Sequence, residues 1–173
     1  MLFHLNNDVI TSEQILTTYF KRSATQGKDF HLITESNFTA ALEHAKACDQ
    51  TRMKTPKHER GKLGLLFGIP VSIKECIEQK GFDSTVGYAF RLNKPSSRDA
   101  PLITLLREQG AIPFIRSNVP QGLAGIETVN NIYGRAQNPW NPERCTGGSS
   151  GGEAGLIALK CSPLGFGTDI GGS

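Results

Sequence analysis

The sequence predicts an α/β fold, a sheet with helices on its faces, and three observations predict it. Leu65-Leu66-Phe67-Gly68-Ile69-Pro70-Val71-Ser72-Ile73-Lys74 is short, apolar and punctuated, in the manner of a buried strand. A helical pattern from Asp99 to Leu106 leads into a second run of that kind, Ala111–Ile115. The same helix-then-strand order returns between Ser150 and Asp169, and such alternation favours a sheet covered by helices.

Element by element, Thr11 or Ser12 can cap a first helix through Ile15, Leu16 and Tyr19 towards Lys21, which Gln26-Gly27-Lys28 breaks. A second helix is expected from Ser36, with Phe38, Leu42, Ala45 and Cys48 near one face at the 3.6-residue period. The stretch from Gln50 to Lys62 is polar, holds Pro56 and reads as an exposed connection. Residues 1–62 therefore form an N-terminal helical segment, and 63–173 the first part of the main domain. In an extended Val71–Lys74, Val71 and Ile73 face one way and Ser72 and Lys74 the other. Asp99-Ala100-Pro101 offers an acidic cap and an initial proline to a helix with Leu102, Leu105 and Leu106 as its buried stripe. Gly110 suits the position just past that helix's end. Val119 to Cys145 is rich in glycine, asparagine and proline and reads as loop. Ser150 and Glu153 have the spacing of a capping box for a helix through Leu156 and Leu159. Ser162-Pro163 ends it, and Leu164–Asp169 is the last strand.

Composition narrows the function classes. An apolar content of 38% and a charged content of 20% over 173 residues suit one globular domain and argue against wholesale disorder. The net charge is only +3 and no Lys/Arg stripe alternates with aromatics, so no nucleic-acid partner is expected. Cys48, Cys76, Cys145 and Cys161 form no CxxC pair and match no zinc spacing. Reduced thiols in an intracellular compartment are expected, with no metal and no cofactor. No apolar run reaches the ~18 residues of a spanning helix. Met1–Asn7 lacks a basic n-region and an apolar h-region, so no signal peptide is expected there.

Two glycine–serine clusters carry the chemistry: Thr146-Gly147-Gly148-Ser149-Ser150-Gly151-Gly152-Glu153 and Gly167-Thr168-Asp169-Ile170-Gly171-Gly172-Ser173. Taken alone, each could be a flexible loop, since glycine is a common turn residue. A phosphate-binding loop fails because no Gly-Lys-Ser/Thr follows either cluster. Serine nucleophile chemistry is the third reading, and it needs a base and backbone N–H donors for an oxyanion. Ile170-Gly171-Gly172-Ser173 could supply such donors in a row. The four histidines, His4, His31, His44 and His58, all precede the strand region, and there is no GxSxG elbow. A lysine base is needed instead, and Lys74, at the end of an apolar run, is the candidate. Burial lowers a lysine's pKa from about 10.4 and favours the neutral amine. On the residues alone, a surface Lys74 or one paired with Glu75 remains an alternative.

At these residues the chain resembles the amidase signature family. The two clusters look like that family's defining stretch, and Pro70-Val71-Ser72-Ile73-Lys74-Glu75 resembles the segment that carries its lysine. Lys74-Glu75-Cys76, Lys80–Thr85, Gly110–Phe114, Asn118–Gln121 and Asn138-Pro139-Trp140 are most similar to the animal fatty acid amide hydrolases within it. The resemblance implies an amidase-signature-type mixed sheet flanked by helices, incomplete here. It also implies a Ser–cis-Ser–Lys triad: Ser173 attacks an amide carbonyl, and Ser149, after a cis bond from Gly148, relays the proton to Lys74. Backbone N–H groups of Ile170, Gly171, Gly172 and Ser173 hold the oxyanion, and Ser150 supports the network.

The substrate implied is a small-molecule amide, a fatty acyl amide foremost. Homodimer formation and membrane association of a full-length protein stay open. Family members continue well past the nucleophile, so a chain ending at Ser173 is expected to be a fragment. An α-carboxylate there, ionised at neutral pH, would oppose the oxyanion and leave the chain inactive. Two other readings stand beside this one. One is an amidotransferase A subunit acting on glutamine, against which Thr168-Asp169-Ile170 and Glu153 lean. The other is a non-catalytic truncated form that binds through an open sheet edge.

Overall fold

The computed structural model describes residues 1–173. Chain entry is helical. α1 (Leu2–Asn6) precedes α2 (Ser12–Arg22), whose N-cap is Thr11. Thr11 Oγ1 accepts from Gln14 N at 3.1 Å and Gln14 Oε1 accepts from Thr11 N at 3.0 Å, a reciprocal cap that satisfies two donors lacking helical partners. α2 ends in a π-helical turn, Ser23–Gly27, and β1 (Ile33–Ser36) follows. The polar sequence Ile33-Thr34-Glu35-Ser36 does not announce a strand; pairing with a longer strand makes it one. α3 (Phe38–Lys54) begins after an Asn37 cap, two residues later than the expected start at Ser36.

The connection expected to lie exposed between Gln50 and Lys62 is mostly so, but it is helical over much of its length and buries two arginines. α3 runs on to Lys54, a 3-10 turn covers Lys57–Lys62, and Arg52 and Arg60 are both buried. Their guanidinium groups can enter the interior because each finds acceptors there. Arg52 donates to Asp49 Oδ1, Ser12 Oγ and the Phe67 carbonyl. Arg60 donates to Asp8 and to the Asn6 and Thr55 carbonyls. These bonds tie both helices to the approach to the next strand.

β2 (Pro70–Lys74) is buried along its whole length. α4 (Pro101–Glu108) and β3 (Ile112–Ser117) follow it. The α4 cap is Ala100, which has no side chain to offer. Asp99, expected to cap, instead accepts from Lys80 N at 2.7 Å and pairs with Arg107. The buried positions of α4 are Ile103 and Leu106, while Leu105 is exposed. Two small antiparallel pairs come next, β4 (Val129–Asn130) with β5 (Gly134–Arg135), and β6 (Gln137–Asn138) with β7 (Asn141–Cys145). α5 (Gly151–Ala158) and β8 (Gly165–Phe166) complete the chain.

The main sheet is mixed, in the order β1–β3–β2–β8. β1 runs antiparallel to β3, whereas β2 is parallel to both β3 and β8. Parallel neighbours require crossovers, and α4 and α5 supply them. Val71 and Ile73 join Leu5, Ile15, Ile103 and Leu106 in one apolar cluster. Leu16, Leu32, Ala45, Ile112, Phe114 and Leu156 belong to a second. The sheet is thus an α/β layer clothed by helices, and its central strand delivers Lys74 into the interior.

Candidate active site

Lys74 is the last residue of β2 and has no solvent exposure. Strand alternation sends Val71 and Ile73 into the apolar cluster and leaves Ser72 and Lys74 on the side that meets α5 and β8. No carboxylate pairs with the amine. Glu75 is turned away, accepting from Val86 N at 3.0 Å and from Thr85 N. Lys74 Nζ instead donates to Ser149 Oγ at 2.7 Å, Thr168 Oγ1 at 2.8 Å and the Thr168 carbonyl at 3.1 Å. Burial pushes its pKa below the ordinary lysine value, partly offset by the acidic groups of Cys76, Asp169 and Glu153 when they ionise.

Ser149 stands just before α5, after a cis peptide bond from Gly148, and is buried. Its hydroxyl donates to Ser173 Oγ at 2.9 Å. Lys74, Ser149 and Ser173 therefore form one unbroken chain of hydrogen bonds. What holds α5 in position is backbone contact: Gly152 N donates to the Asn118 carbonyl at 3.1 Å, and a Cβ on Gly152 would run into the Asn118 backbone. A glycine there lets the helix start directly against the exit of β3.

The capping box expected from Ser150 and Glu153 is absent. Ser150 is the N-cap residue by position, but its hydroxyl points at the Ser173 carbonyl, 2.6 Å away, and lies 3.2 Å from the Thr168 carbonyl. Ser150 N donates to the same Ser173 carbonyl at 3.2 Å. Glu153 is drawn under the helix, where its Oε2 accepts from Ser72 Oγ at 2.6 Å. Burial raises its pKa to about 7, against the pull of the Ser72 and Ser117 hydroxyls and the charges of Arg116 and Lys74.

The turn Ile170–Ser173 folds around Asp169. Gly172 N donates to Asp169 Oδ1 at 2.6 Å, and the Ser173 and Gly171 N–H groups face the same carboxylate. The Gly172 bond first, then these neighbouring N–H groups, hold the Asp169 carboxyl below its ordinary pKa. Three of the four predicted oxyanion donors are thus gathered at one point, which an aspartate occupies here. Ile170 contributes an exposed side chain to the mouth. A cavity of about 420 Å³ opens there, bordered by Ser149, Thr168 and Ser173 and walled by Leu123, Ile126 and Ile170.

Two residues of this site were not singled out by their sequence context. Thr168 lies inside the second glycine cluster, and only the three-dimensional bend after β8 shows its two oxygens meeting Lys74. Glu153 resembles a helix cap; the signal pointing elsewhere was the shared face of Ser72 and Lys74. No histidine is hydrogen-bonded to either serine.

Fold and side chains together define an α/β protein organised round a lysine–serine–serine hydrogen-bond chain. The sequence model of the Amidase family matches residues 14–173, and the chain belongs to that family. It is 40% identical over 165 residues to Amidase 1 of Gibberella moniliformis, a match covering 95% of this chain and 31% of that protein. It is 49% identical over 110 residues to Fatty-acid amide hydrolase 1 of Sus scrofa, covering 64% of this chain and 19% of the relative. Among solved structures, a fatty acid amide hydrolase superposes with a TM-score of 0.91 at 26% identity, over 99% of this chain and 30% of that one. The chain spans about a third or less of the length of these relatives.

Proposed function

We propose that this protein is a serine amidase that hydrolyses carboxylic amides, fatty acyl amides foremost, with Ser173 as nucleophile, Ser149 as relay and Lys74 as base. The observation that carries the reading is the buried, cation-averse Lys74 amine 2.7 Å from a serine hydroxyl that is itself 2.9 Å from a second. With a neutral amine the two hydroxyls rotate so that Ser149 donates to Lys74 and Ser173 to Ser149, and the proton of Ser149 can then pass to the lone pair as Ser149 takes that of Ser173. Ser173 Oγ then adds to the amide carbon. On collapse the C–N bond breaks, and the relay returns one proton to the leaving amine. Water cleaves the resulting ester and frees the acid.

The oxyanion is assigned to the N–H groups of Ile170, Gly171, Gly172 and Ser173. Because Asp169 accepts from Gly172 N and faces the Gly171 and Ser173 N–H groups, a substrate oxygen has to displace its carboxylate. Preference for an acyl chain is supported by the apolar wall of Leu123, Ile126 and Ile170 and by the likeness to Fatty-acid amide hydrolase 1. Ser150 holds the nucleophile's own carbonyl.

The test is release of ammonia from a long-chain primary fatty amide and from glutamine, by protein expressed from its complete reading frame. Ser173→Ala, Ser149→Ala and Lys74→Ala are each expected to lower kcat by at least about 10²-fold, as loss of a proton-transfer partner does. Undiminished turnover by Lys74→Ala would remove the lysine from the mechanism. Preferential turnover of glutamine would replace the fatty amide as substrate.

A further inference from the structure

Glu153 is a buried carboxyl beside the relay that the proposed mechanism leaves unused. It sits on the first turn of α5, four residues after Ser149, and bonds to Ser72 Oγ, two residues before Lys74. Ser72 in turn lies 3.4 Å from the Leu164 carbonyl and receives β8 alongside it, Ser72 pairing with Gly165. A Cβ on Gly165 would collide with Glu153 Oε2, so β8 runs directly over the carboxyl. One side chain therefore touches the three elements that bring Ser149, Lys74 and Thr168 together.

We propose that Glu153 is a positioning residue for the relay, bolting β2 to α5 and β8, and that its charge adds to the others that bias the Lys74 amine towards protonation. This rests on Lys74 being the base. The charged groups facing Glu153 are Lys74 from β2 and Arg116 from β3, while β8 and the Ser23–Gly27 turn bring none; Lys74 itself also faces Cys76 and Asp169, both of which act on it more strongly than Glu153 does. Its second oxygen, Oε1, faces the Ser117 hydroxyl without closing a hydrogen bond, and both atoms are buried without a partner. A bare carboxylate oxygen in that position is costly, and the neutral acid relieves it. As an acid, Glu153 can donate to Ser72, freeing the Ser72 hydroxyl to donate to Leu164. As a carboxylate, it attracts the Lys74 proton and works against the base.

The experiment compares Glu153→Gln and Glu153→Ala with the wild type by kcat, KM and the pH profile of kcat/KM on the amide substrate. Gln keeps a hydrogen-bonding group for Ser72 but cannot become negative. Its acid limb is expected to move down by a few tenths of a pH unit, since Glu153 is the weakest of the charges acting on Lys74. Ala loses the bolt, and kcat is expected to fall about tenfold, one buried hydrogen bond's worth, with KM unchanged. Gln should restore most of that kcat. An acid limb that stays in place in Glu153→Gln, or equal losses of kcat in Gln and Ala, overturns the proposal. Lys74→Ala run in parallel separates the two readings: if it is inactive while Glu153→Gln changes nothing, the base assignment stands and the role of Glu153 falls.

Discussion

Thr168 presents two oxygens to Lys74 Nζ, its hydroxyl at 2.8 Å and its carbonyl at 3.1 Å. A neutral amine has two N–H donors and one lone pair. If both donors go to Thr168, the lone pair is left facing Ser149 Oγ, the direction from which a proton would arrive. Thr168 thus orients the amine as well as burying it.

Removing one of those acceptors should therefore mis-aim the base without emptying the site. Thr168→Val keeps the carbonyl and the side-chain shape and deletes Oγ1. The expected result is a fall in kcat of about tenfold with little change in KM, since one hydrogen bond contributes about 1 kcal/mol. Steady-state kinetics on the amide substrate check it. A rise in KM alone would place Thr168 in substrate binding.

The pH dependence follows from the direction of the Lys74 shift. Below its folded-state pKa the amine is an ammonium and cannot accept a proton, so kcat/KM should rise with pH on the acid side. Burial places that rise below the ordinary lysine value of 10.5. Lys74→Arg, cationic at every accessible pH, should show no such limb and only residual activity. The same shift predicts stability lost as pH falls from 10.5 towards the lowered value, because the unfolded chain binds the proton more tightly.

Much of this arrangement was legible in the chain itself. Lys74, Ser149 and Ser173 stand in short motifs whose glycines and apolar flanks mark them, and alternation along β2 placed Ser72 beside Lys74. What escaped was decided by tertiary context. Arg52 and Arg60 look like surface residues because arginine is rarely buried, and only their carbonyl and carboxylate partners let them in. Asp99 and Glu153 both have cap spacing, yet Lys80 N and Arg107 claim the first and Ser72 the second. β1 is too short and polar to reveal itself before β3 is there to pair with it.

Arg116 carries the same lesson into stability. It is buried, and its guanidinium donates to the Ile77 carbonyl at 2.7 Å, the Glu75 and Asp83 carbonyls and Ser84 Oγ. Arg116→Met would leave three carbonyls without that donor beneath the segment following Lys74. A loss of about 3–5 kcal/mol is expected in urea unfolding, as for other broken buried charge networks. Arg116→Lys should rescue only part, because a single ammonium cannot span the same acceptors. A change below about 1 kcal/mol in Arg116→Met would show that the loop is held by other bonds.

Glu153 gives the opposite pH dependence of stability from a depressed carboxylate. Its folded-state pKa is raised from 4.5 to about 7, so the native state favours the neutral acid. The contribution is fully present below 4.5 and disappears as pH rises through 7. A shift of that size corresponds to at most about 3–4 kcal/mol, each pKa unit being worth about 1.4. Glu153→Gln is neutral throughout and should not lose it. Wild type and variant, unfolded in urea at a series of pH values from 4.5 to 8.5, should therefore diverge as pH rises, the wild type weakening relative to the variant. Parallel curves would mean that Glu153 ionises as easily in the folded protein as in the unfolded chain. Its carboxyl would then be a charged bolt at every working pH, held by Lys74 and Arg116 rather than neutralised by burial.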